Sequence, residues 1–292
     1  MHFPKYWARG EWIGRAANRN EWRQLAWENS DISADDARER ANLKAQRLGQ
    51  RAMTGDTAGA DSYPYADRPV REPVLRTLDF DEPDAAAVIT RTAYGSEVLN
   101  TAGLMFIDVD LPQVKVTSGL LATLKRLLFG ASAQQEPAPN PGDGKVAALR
   151  QWQTSNSSWA FRVYRTHSGL RYIVTSAWQD PVGNQTHSVF ASLGCDTRYR
   201  QLCKVQKSFR ARLTPKPWRC GCPNPPVRFP YEDREREAQM TQWLARYQRA
   251  AENYATCQFL ANIGSTLVPA EVSSLITEHD TRTKAVSGLP LA

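Results

Sequence analysis

The chain has 292 residues, with 37 lysines and arginines against 30 aspartates and glutamates, so its formal net charge at pH 7 is +7. Hydrophobic residues make up 41% of it and aromatic residues 10%, which is enough for a packed core and excludes a largely disordered protein. No run approaches the roughly 18 apolar residues that span a bilayer, and the first residues lack the apolar core of a signal peptide. We therefore expect a cytoplasmic protein with no membrane segment. Its positive charge, most of it arginine, favours an anionic partner.

The N-terminal region, residues 1–75, is expected to be mostly helical. Ser33 is followed three residues later by Asp36, a capping-box pattern in which a side-chain oxygen accepts from a free backbone amide. The pattern predicts a charged, mostly exposed helix from Ala34 to Met53. A loop rich in glycine, aspartate and proline follows it.

The middle of the chain mixes strands with helices. The apolar run at residues 104–110 predicts a buried strand, and residues 119–130 carry leucines on one helical stripe. A low-complexity loop near residues 130–144 is expected to be a flexible insertion. Two further strands, Trp159–Arg165 and Leu170–Ser176, flank a tight turn that is typical of a β-hairpin.

This order of elements predicts an α+β fold with a mainly antiparallel central sheet flanked by helices. We expect three regions, namely residues 1–75, a core at residues 76–220, and a helical C-terminal region at residues 221–292. Within the last of them, residues 232–275 have a largely helical pattern.

Two carboxylates, Asp108 and Asp110, interrupt the predicted strand FIDVD. Residues two apart on a strand point to the same face, so both carboxylates project together while Ile107 and Val109 face the opposite way. Neighbouring negative charges repel, and a divalent cation such as Mg²⁺ or Mn²⁺ would compensate them. The alternative is that both aspartates lie at a strand end and are solvated in the turn before Pro112.

The predicted hairpin gathers cationic and hydrogen-bonding groups at one end of two strands. Such a cluster can bind nucleotide phosphates, although the pattern by itself is also typical of an ordinary exposed hairpin with solvated arginines. The candidate nucleotide-binding residues are Arg165, His167, Ser168 and Arg171.

A third candidate is the basic segment Thr197–Arg219, which holds eight lysines or arginines and no acidic residue. Tyr199, Phe209 and Trp218 lie among these charges, and such a mixture can hold a phosphate backbone and stack on bases. The alternative is a basic helix capped by Asp196, followed by a strand whose aromatic residues fill the core. The candidate nucleic-acid-binding residues are Arg198, Lys204, Lys207, Arg210, Arg212 and Lys216.

Four features taken together resemble the archaeo-eukaryotic primase (primase-polymerase-like) superfamily. They are the strand FIDVD, a hairpin carrying SGLR, a later aspartate and the segment FRARLTPKP. Members of the superfamily share an hhhDhD strand, an S-x-H motif on a later strand and a third acidic residue. The resemblance covers residues 88–218 and implies an RRM-like catalytic core at residues 76–220. It implies Asp108 and Asp110 as ligands of Mg²⁺ or Mn²⁺, and Asp196 as the third catalytic carboxylate.

The same resemblance implies that Ser168 and position 171 face the nucleotide phosphates, although position 171 is arginine where the family pattern has histidine. Asp196 also departs from the pattern, since it precedes a helix instead of ending a strand. The residues implied along the template or triphosphate path are Arg210, Arg212 and Lys216.

The leading hypothesis is therefore a divalent-metal-dependent nucleotidyltransferase of the primase-polymerase type, acting on nucleoside triphosphates and a DNA or RNA strand. Its expected chemistry is in-line attack of a 3′-hydroxyl on the α-phosphate. Two alternatives are a metal-dependent nuclease and a nucleotide- or nucleic-acid-binding protein without turnover. Arg171 favours the last, because arginine does not titrate near neutral pH.

Two remaining motifs have plainer interpretations. Cys195, Cys203, Cys220 and Cys222 lack the spacing of a regular zinc ribbon, so buried thiols are expected, with a zinc site as the alternative. The segment Glu278–Lys284 (EHDTRTK) is expected to be an exposed helix end, with a contact to the site as the alternative.

Overall fold

The computed structural model describes residues 1–15, 21–54, 69–78, 86–112 and 141–292. Those ranges contain ten strands in three sheets and six α-helices. The strands are β1 Tyr6–Arg15, β2 Glu21–Ser30, β3 Val74–Leu78, β4 Ala87–Arg91, β5 Glu97–Thr101, β6 Phe106–Asp110, β7 Phe161–Thr166, β8 Gly169–Val174, β9 Phe209–Arg212 and β10 Cys257–Ile263. The helices are α1 Ala34–Met53, α2 Pro141–Thr154, α3 Asn184–Ser192, α4 Thr197–Gln206, α5 Arg234–Ala251 and α6 Ala270–Thr283, with a 3₁₀ turn at Pro217–Arg219. Within the described ranges, none of the helices has the length and apolar character needed to cross a bilayer.

All pairings between these strands are antiparallel, which confirms the predicted α+β fold with mainly antiparallel sheet. Two four-stranded sheets are present, in the orders β10–β7–β8–β6 and β3–β4–β5–β9, together with the hairpin β1–β2. Strand β9 pairs with β5 and also contacts β6. The end of β9 therefore brings the basic segment to the first four-stranded sheet.

Helices cover both faces of the first four-stranded sheet. On one face, Trp152 of α2 packs against Phe161 of β7, with ring centroids 5.9 Å apart. On the other face, His279 of α6 packs against Tyr164 of β7, with ring centroids 4.9 Å apart. All six residues of β8 are buried, because this strand also has a neighbouring strand on each side.

Strands β7 and β8 form the predicted hairpin, joined by His167 and Ser168 alone. A Cβ placed on Gly169 would lie 2.1 Å from the carbonyl oxygen of Val109 on β6. Only glycine, which has no Cβ, allows β8 to approach β6 so closely at this point.

The predicted helix at the N-terminus is confirmed as α1. The side chain of Ser33 accepts a hydrogen bond from the backbone amide of Asp36 at 3.1 Å, and the helix runs from Ala34 to Met53. This cap satisfies one of the amides that a helix leaves free at its first turn.

Residues 6–15 and 21–30 differ from the mostly helical prediction for this region, because they form the paired strands β1 and β2. The hairpin and α1 pack closely, and a Cβ on Gly10 would lie 2.2 Å from the backbone of Ala41. Burial against the helix stabilises a strand conformation here. The helix turns four small buried residues towards the hairpin, namely Ala37, Ala41, Ala45 and Gly49.

The C-terminal region contains the predicted helices but also a strand. Strand β10 lies between α5 and α6 and pairs with β7, and it buries Cys257 and Ile263. This region therefore completes the first four-stranded sheet. The division of the chain into three regions stays a prediction.

Helix α2 begins at Pro141, so the end of the predicted insertion near residues 130–144 is helical. The predicted helix at residues 119–130, the loop at residues 131–140 and most of the loop after Met53 lie outside the described residues.

We expect Gly169→Ala to lower the free energy of unfolding by about 1–3 kcal/mol, because the added methyl group overpacks the β6–β8 contact. Urea denaturation followed by circular dichroism measures this change. Gly144→Ala is the matched control, since a Cβ there has no neighbour within 4 Å and alanine favours a helix. Equal urea midpoints for wild type and Gly169→Ala would contradict the close approach.

Candidate functional site

The site is built around an ion pair between adjacent strands of the first four-stranded sheet. The β6–β8 register places Asp108 opposite Arg171 and Asp110 opposite Gly169. Nε of Arg171 donates to Oδ1 of Asp108 at 2.8 Å, and Nη2 donates to Oδ2 at 3.1 Å. Arg171 is 2% exposed and the side chain of Asp108 is 35% exposed. The charge that compensates Asp108 is therefore a buried guanidinium.

The remaining donors of Arg171 contact two other elements. Its Nη1 donates to the backbone carbonyl of Arg212 at 3.1 Å, at the end of β9. The same Nη1 lies 3.4 Å from Nε2 of His279 on α6. Burial alone would lower the pKa of Arg171, but the charge and hydrogen bonds of Asp108 raise it, so the guanidinium stays charged.

His279 extends this buried network to a second acidic residue. Its Nδ1 lies 3.0 Å from Oδ1 of Asp280, and the imidazole is fully buried. Burial lowers the pKa of His279, with a further contribution from Arg171. A neutral imidazole that donates from Nδ1 to Asp280 leaves Nε2 as an acceptor towards Arg171.

Asp280 ties α6 to strand β7. Its carboxylate accepts from the hydroxyl of Tyr164 at 2.6 Å and from Nη2 of Arg162 at 2.6 Å. The network from Asp108 through Arg171 and His279 to Asp280 therefore joins four elements, β6, β8, α6 and β7.

Above the ion pair lies a cleft of about 380 Å³. Arg212, Lys216 and Arg219 line it together with Asp110 and Ser168, and Asp108 and Arg171 also contribute. Nη2 of Arg219 donates to Oγ of Ser168 at 2.9 Å. Nε of Arg212 is buried without a hydrogen-bond partner among the described residues. We call this group of residues the cationic cleft.

The charges in the cationic cleft shift the pKa of its titratable groups. Burial lowers the pKa of Lys216 to about 8, and the charges of Arg212 and Arg219 contribute. Burial also raises the pKa of Asp110, with contributions from Asp196 and Asp108. The cleft thus holds cations close enough to repel one another, and carboxylates gather at one edge.

The backbone that carries Lys216 is firmly supported. Pro215 precedes it and Pro217 follows it, so two backbone torsions are restricted. The carbonyl of Pro215 accepts from the hydroxyl of Ser96 at 2.7 Å and from the hydroxyl of Tyr247 at 2.5 Å. Contacts within the protein therefore fix the backbone that presents Lys216 to the cleft.

The structure brings some of the predicted site residues together. Asp196 lies beside the cleft, because its backbone amide donates to the carbonyl of Asp108 at 3.1 Å, while its side chain caps α4. His167 lies in the turn and is largely exposed. Its remaining burial and the charges of Arg219, Arg212 and Lys216 lower its pKa. The predicted residues that line the cleft are Asp108, Asp110, Ser168, Arg171, Arg212 and Lys216.

Other predicted residues lie elsewhere. Tyr164 pairs with Arg171, so the side chains of these two residues share a face of the sheet. Arg165 is the next residue on β7, and its side chain therefore points to the other face. Arg210 is buried, and its Nη2 donates to both carboxylate oxygens of Glu72 at 2.8 Å and 2.7 Å. Three cations are exposed on or directly after α4, outside the lining of the cleft, namely Arg198, Lys204 and Lys207.

Two residues of the candidate site are absent from the residues that the sequence predicted for it. Arg219 lies in the basic segment, and the absence of acidic residues from that segment is the sequence pattern that indicates it. His279 lies in the segment predicted to be an exposed helix end, yet it is fully buried and contacts Arg171. Its spacing from Val272 and Leu275, which are also buried on α6, indicates one helix face.

Asp108 does not fit the role of a divalent-metal ligand that the primase resemblance implies. Both carboxylate oxygens of Asp108 already accept from Arg171, and a guanidinium at this position repels a second cation. In the described ranges, no group of three or more histidine, cysteine, aspartate or glutamate side chains is arranged to hold a metal ion.

The cysteines belong to two separate hydrophobic clusters. Cys195 and Cys203 are buried in the main core, whereas Cys220 and Cys222 pack with Trp243 in a smaller cluster. All four are buried and none forms a disulfide.

Comparison with known proteins adds no family. No family model matches the chain, and neither a curated protein nor a solved structure matches it. The primase resemblance stays a prediction.

We expect Asp108→Asn to destabilise the protein by about 2 kcal/mol or more, because it leaves the buried Arg171 charge without its carboxylate. Partial exposure of Asp108 keeps the loss below the roughly 3–5 kcal/mol of a fully buried pair. Urea denaturation at pH 7 is the measurement. Asp110→Asn is the matched control. Its free energy of unfolding should lie within about 0.5 kcal/mol of the wild-type value, as is usual for a substitution at an exposed position. Equal stability of the two variants would contradict the ion pair.

Proposed function

We propose that the protein binds the phosphate groups of a nucleotide or a nucleic-acid strand in the cationic cleft. One observation carries this proposal: Arg212, Lys216 and Arg219 line the same cleft, while Asp108, one of its two acidic residues, is already paired with Arg171. Asp110 is the carboxylate left to offset three cations.

The electrostatics of the cleft support an anionic ligand. Burial and the neighbouring arginines lower the pKa of Lys216, because both disfavour its charged ammonium form. A bound phosphate would relieve the repulsion among these cations, because its oxygens accept several charge-assisted hydrogen bonds. The partnerless Nε of Arg212 is a donor that such a ligand would satisfy.

The size of the cleft also supports a ligand larger than a simple ion. Its volume of about 380 Å³ falls within the range of small-molecule sites, roughly 300–1,000 Å³. Binding without turnover is better supported than metal-dependent transfer, since Arg171 already compensates Asp108.

The free thiols of all five cysteines agree with the cytoplasmic location that we propose.

The test is equilibrium binding of a labelled single-stranded oligonucleotide and of a nucleoside triphosphate, measured in EDTA. We expect Arg212→Gln, Lys216→Gln and Arg219→Gln each to weaken binding roughly 10-fold, the value of one hydrogen bond to a charged group. Lys204→Gln is the matched control, because this exposed lysine of α4 lies outside the cleft lining, and it should change affinity less than about twofold. Equal losses in the control and the cleft variants would overturn the proposal.

The same assay has a pH signature. With a pKa of about 8, Lys216 is charged at pH 7 and mostly neutral at pH 9, so affinity should fall as the pH rises through this range. Lys216→Arg keeps its charge over the whole range and should remove most of the dependence. A wild-type affinity that is constant from pH 7 to pH 9 would show that Lys216 does not contact the anion.

Metal-dependent nucleotidyl transfer is the second candidate, and Asp110 favours it. Burial and the charges of Asp196 and Asp108 raise the pKa of this carboxyl group, so negative charge does collect beside the cleft.

Incorporation of labelled nucleotide in Mg²⁺ or Mn²⁺ tests this candidate. If transfer occurs here, Asp110→Asn should abolish strand extension while leaving binding in EDTA intact. Shortened strands would indicate the nuclease alternative. If neither metal gives a product, both catalytic candidates are wrong and only the binding function remains.

A further inference from the structure

We propose that Trp218 is a stacking platform for the base of the ligand whose phosphate occupies the cationic cleft. This inference rests on the proposed function, and it defines the ligand class as a nucleotide, free or at an unpaired position of a strand. An inorganic polyphosphate has no base, so it would occupy the cleft without contacting Trp218.

The first observation is the exposure of this one aromatic side chain. Among the three aromatic residues of the basic segment, Phe209 is buried in the core and Tyr199 packs against it. The hydroxyl of Tyr199 accepts from the backbone amide of Arg210 at 3.1 Å, so both residues have structural roles. Trp218 is 52% exposed and remains available to a ligand.

The second observation is its position between two residues of the cleft. Trp218 is the middle residue of the 3₁₀ turn Pro217–Arg219. Lys216, two residues before it, and Arg219, directly after it, both line the cleft. Nζ of Lys216 lies 5.4 Å from the centroid of the Trp218 ring. If the phosphate of a nucleotide binds this ammonium group, the base of the same nucleotide therefore lies within reach of the indole.

The third observation is that the indole is held in place before any ligand arrives. Tyr94, in the turn between β4 and β5, packs against it with ring centroids 5.6 Å apart and an interplanar angle of 61°. The turn itself is supported at Cys220 and Cys222, whose backbone amides donate to the carbonyl of Pro217 at 3.0 Å and 2.9 Å. A fixed aromatic ring loses little conformational freedom when a base stacks on it.

The chemistry of the platform follows from these three observations. Every base has a π-face, so stacking on an indole tolerates any base. The Lys216 ammonium near the ring adds positive charge beside a stacked base. Bases inside a duplex are already stacked on each other, so the platform selects free nucleotides or unpaired positions.

The experiment compares a nucleoside triphosphate with inorganic tripolyphosphate by isothermal titration calorimetry. Trp218→Ala should weaken binding of the nucleoside triphosphate roughly 5- to 100-fold, the range measured for loss of one base–aromatic stack. It should change the affinity for tripolyphosphate less than about twofold. Trp218→Phe keeps an aromatic face and should recover most of the nucleotide affinity.

Trp22→Ala is the matched control, because this tryptophan is 44% exposed on β2, away from the cleft lining. It should bind both ligands as wild type does. A duplex of the same sequence should bind more weakly than the single strand, and Trp218→Ala should reduce that difference.

Each outcome separates the platform from the cleft. If wild type binds neither ligand, the proposed function fails and the platform fails with it. If wild type binds both and Trp218→Ala weakens both equally, or weakens neither, the platform is wrong and phosphate binding stands.

Discussion

The buried guanidinium of Arg171 is the constraint on which the arrangement of the site depends. It is 2% exposed, and a charge in such a place must be paired, since an isolated buried charge costs several kcal/mol. Its partners come from three elements, the Asp108 carboxylate on β6, the Arg212 carbonyl on β9 and His279 on α6. One side chain therefore holds the β6–β8 register and fixes where β9 and α6 meet the sheet.

The same ion pair determines the charge of the cationic cleft. Arg171 and Asp108 largely neutralise each other below it, so the field above comes from Arg212, Lys216 and Arg219, with Asp110 as the offset. Repulsion among like charges destabilises a folded chain, and it persists only where the surrounding backbone is firmly held. The prolines and hydrogen bonds around Lys216 supply that support. Such perturbed groups in a cleft are typical of functional sites.

The paired aspartates of FIDVD therefore have two different roles. Asp108 is an internal counter-ion, whereas Asp110 is exposed at the edge of the cleft. Their shared strand face was predictable from the alternation of side chains. Their partner was not, because Arg171 is 63 residues away along the chain and can reach Asp108 only when β6 and β8 pair.

The sequence by itself determined the features that depend on near neighbours. These are the capped helix α1, the hairpin at Gly169, the common face of Asp108 and Asp110, and the acid-free segment that ends at Arg219. Each is a matter of local periodicity or turn geometry, which a few adjacent residues decide.

Only the tertiary structure decided which charges remain available. Arg210 and Arg212 look equivalent in the sequence, and they lie two residues apart on the same strand. They differ in their position along β9: Arg210 lies opposite Asn100 and is buried on Glu72, whereas Arg212 ends the strand and lines the cleft. The structure also placed β10 in the sheet and His279 against Arg171. These outcomes depend on contacts between distant segments, where burial of apolar surface and compensation of buried charge outweigh local preference.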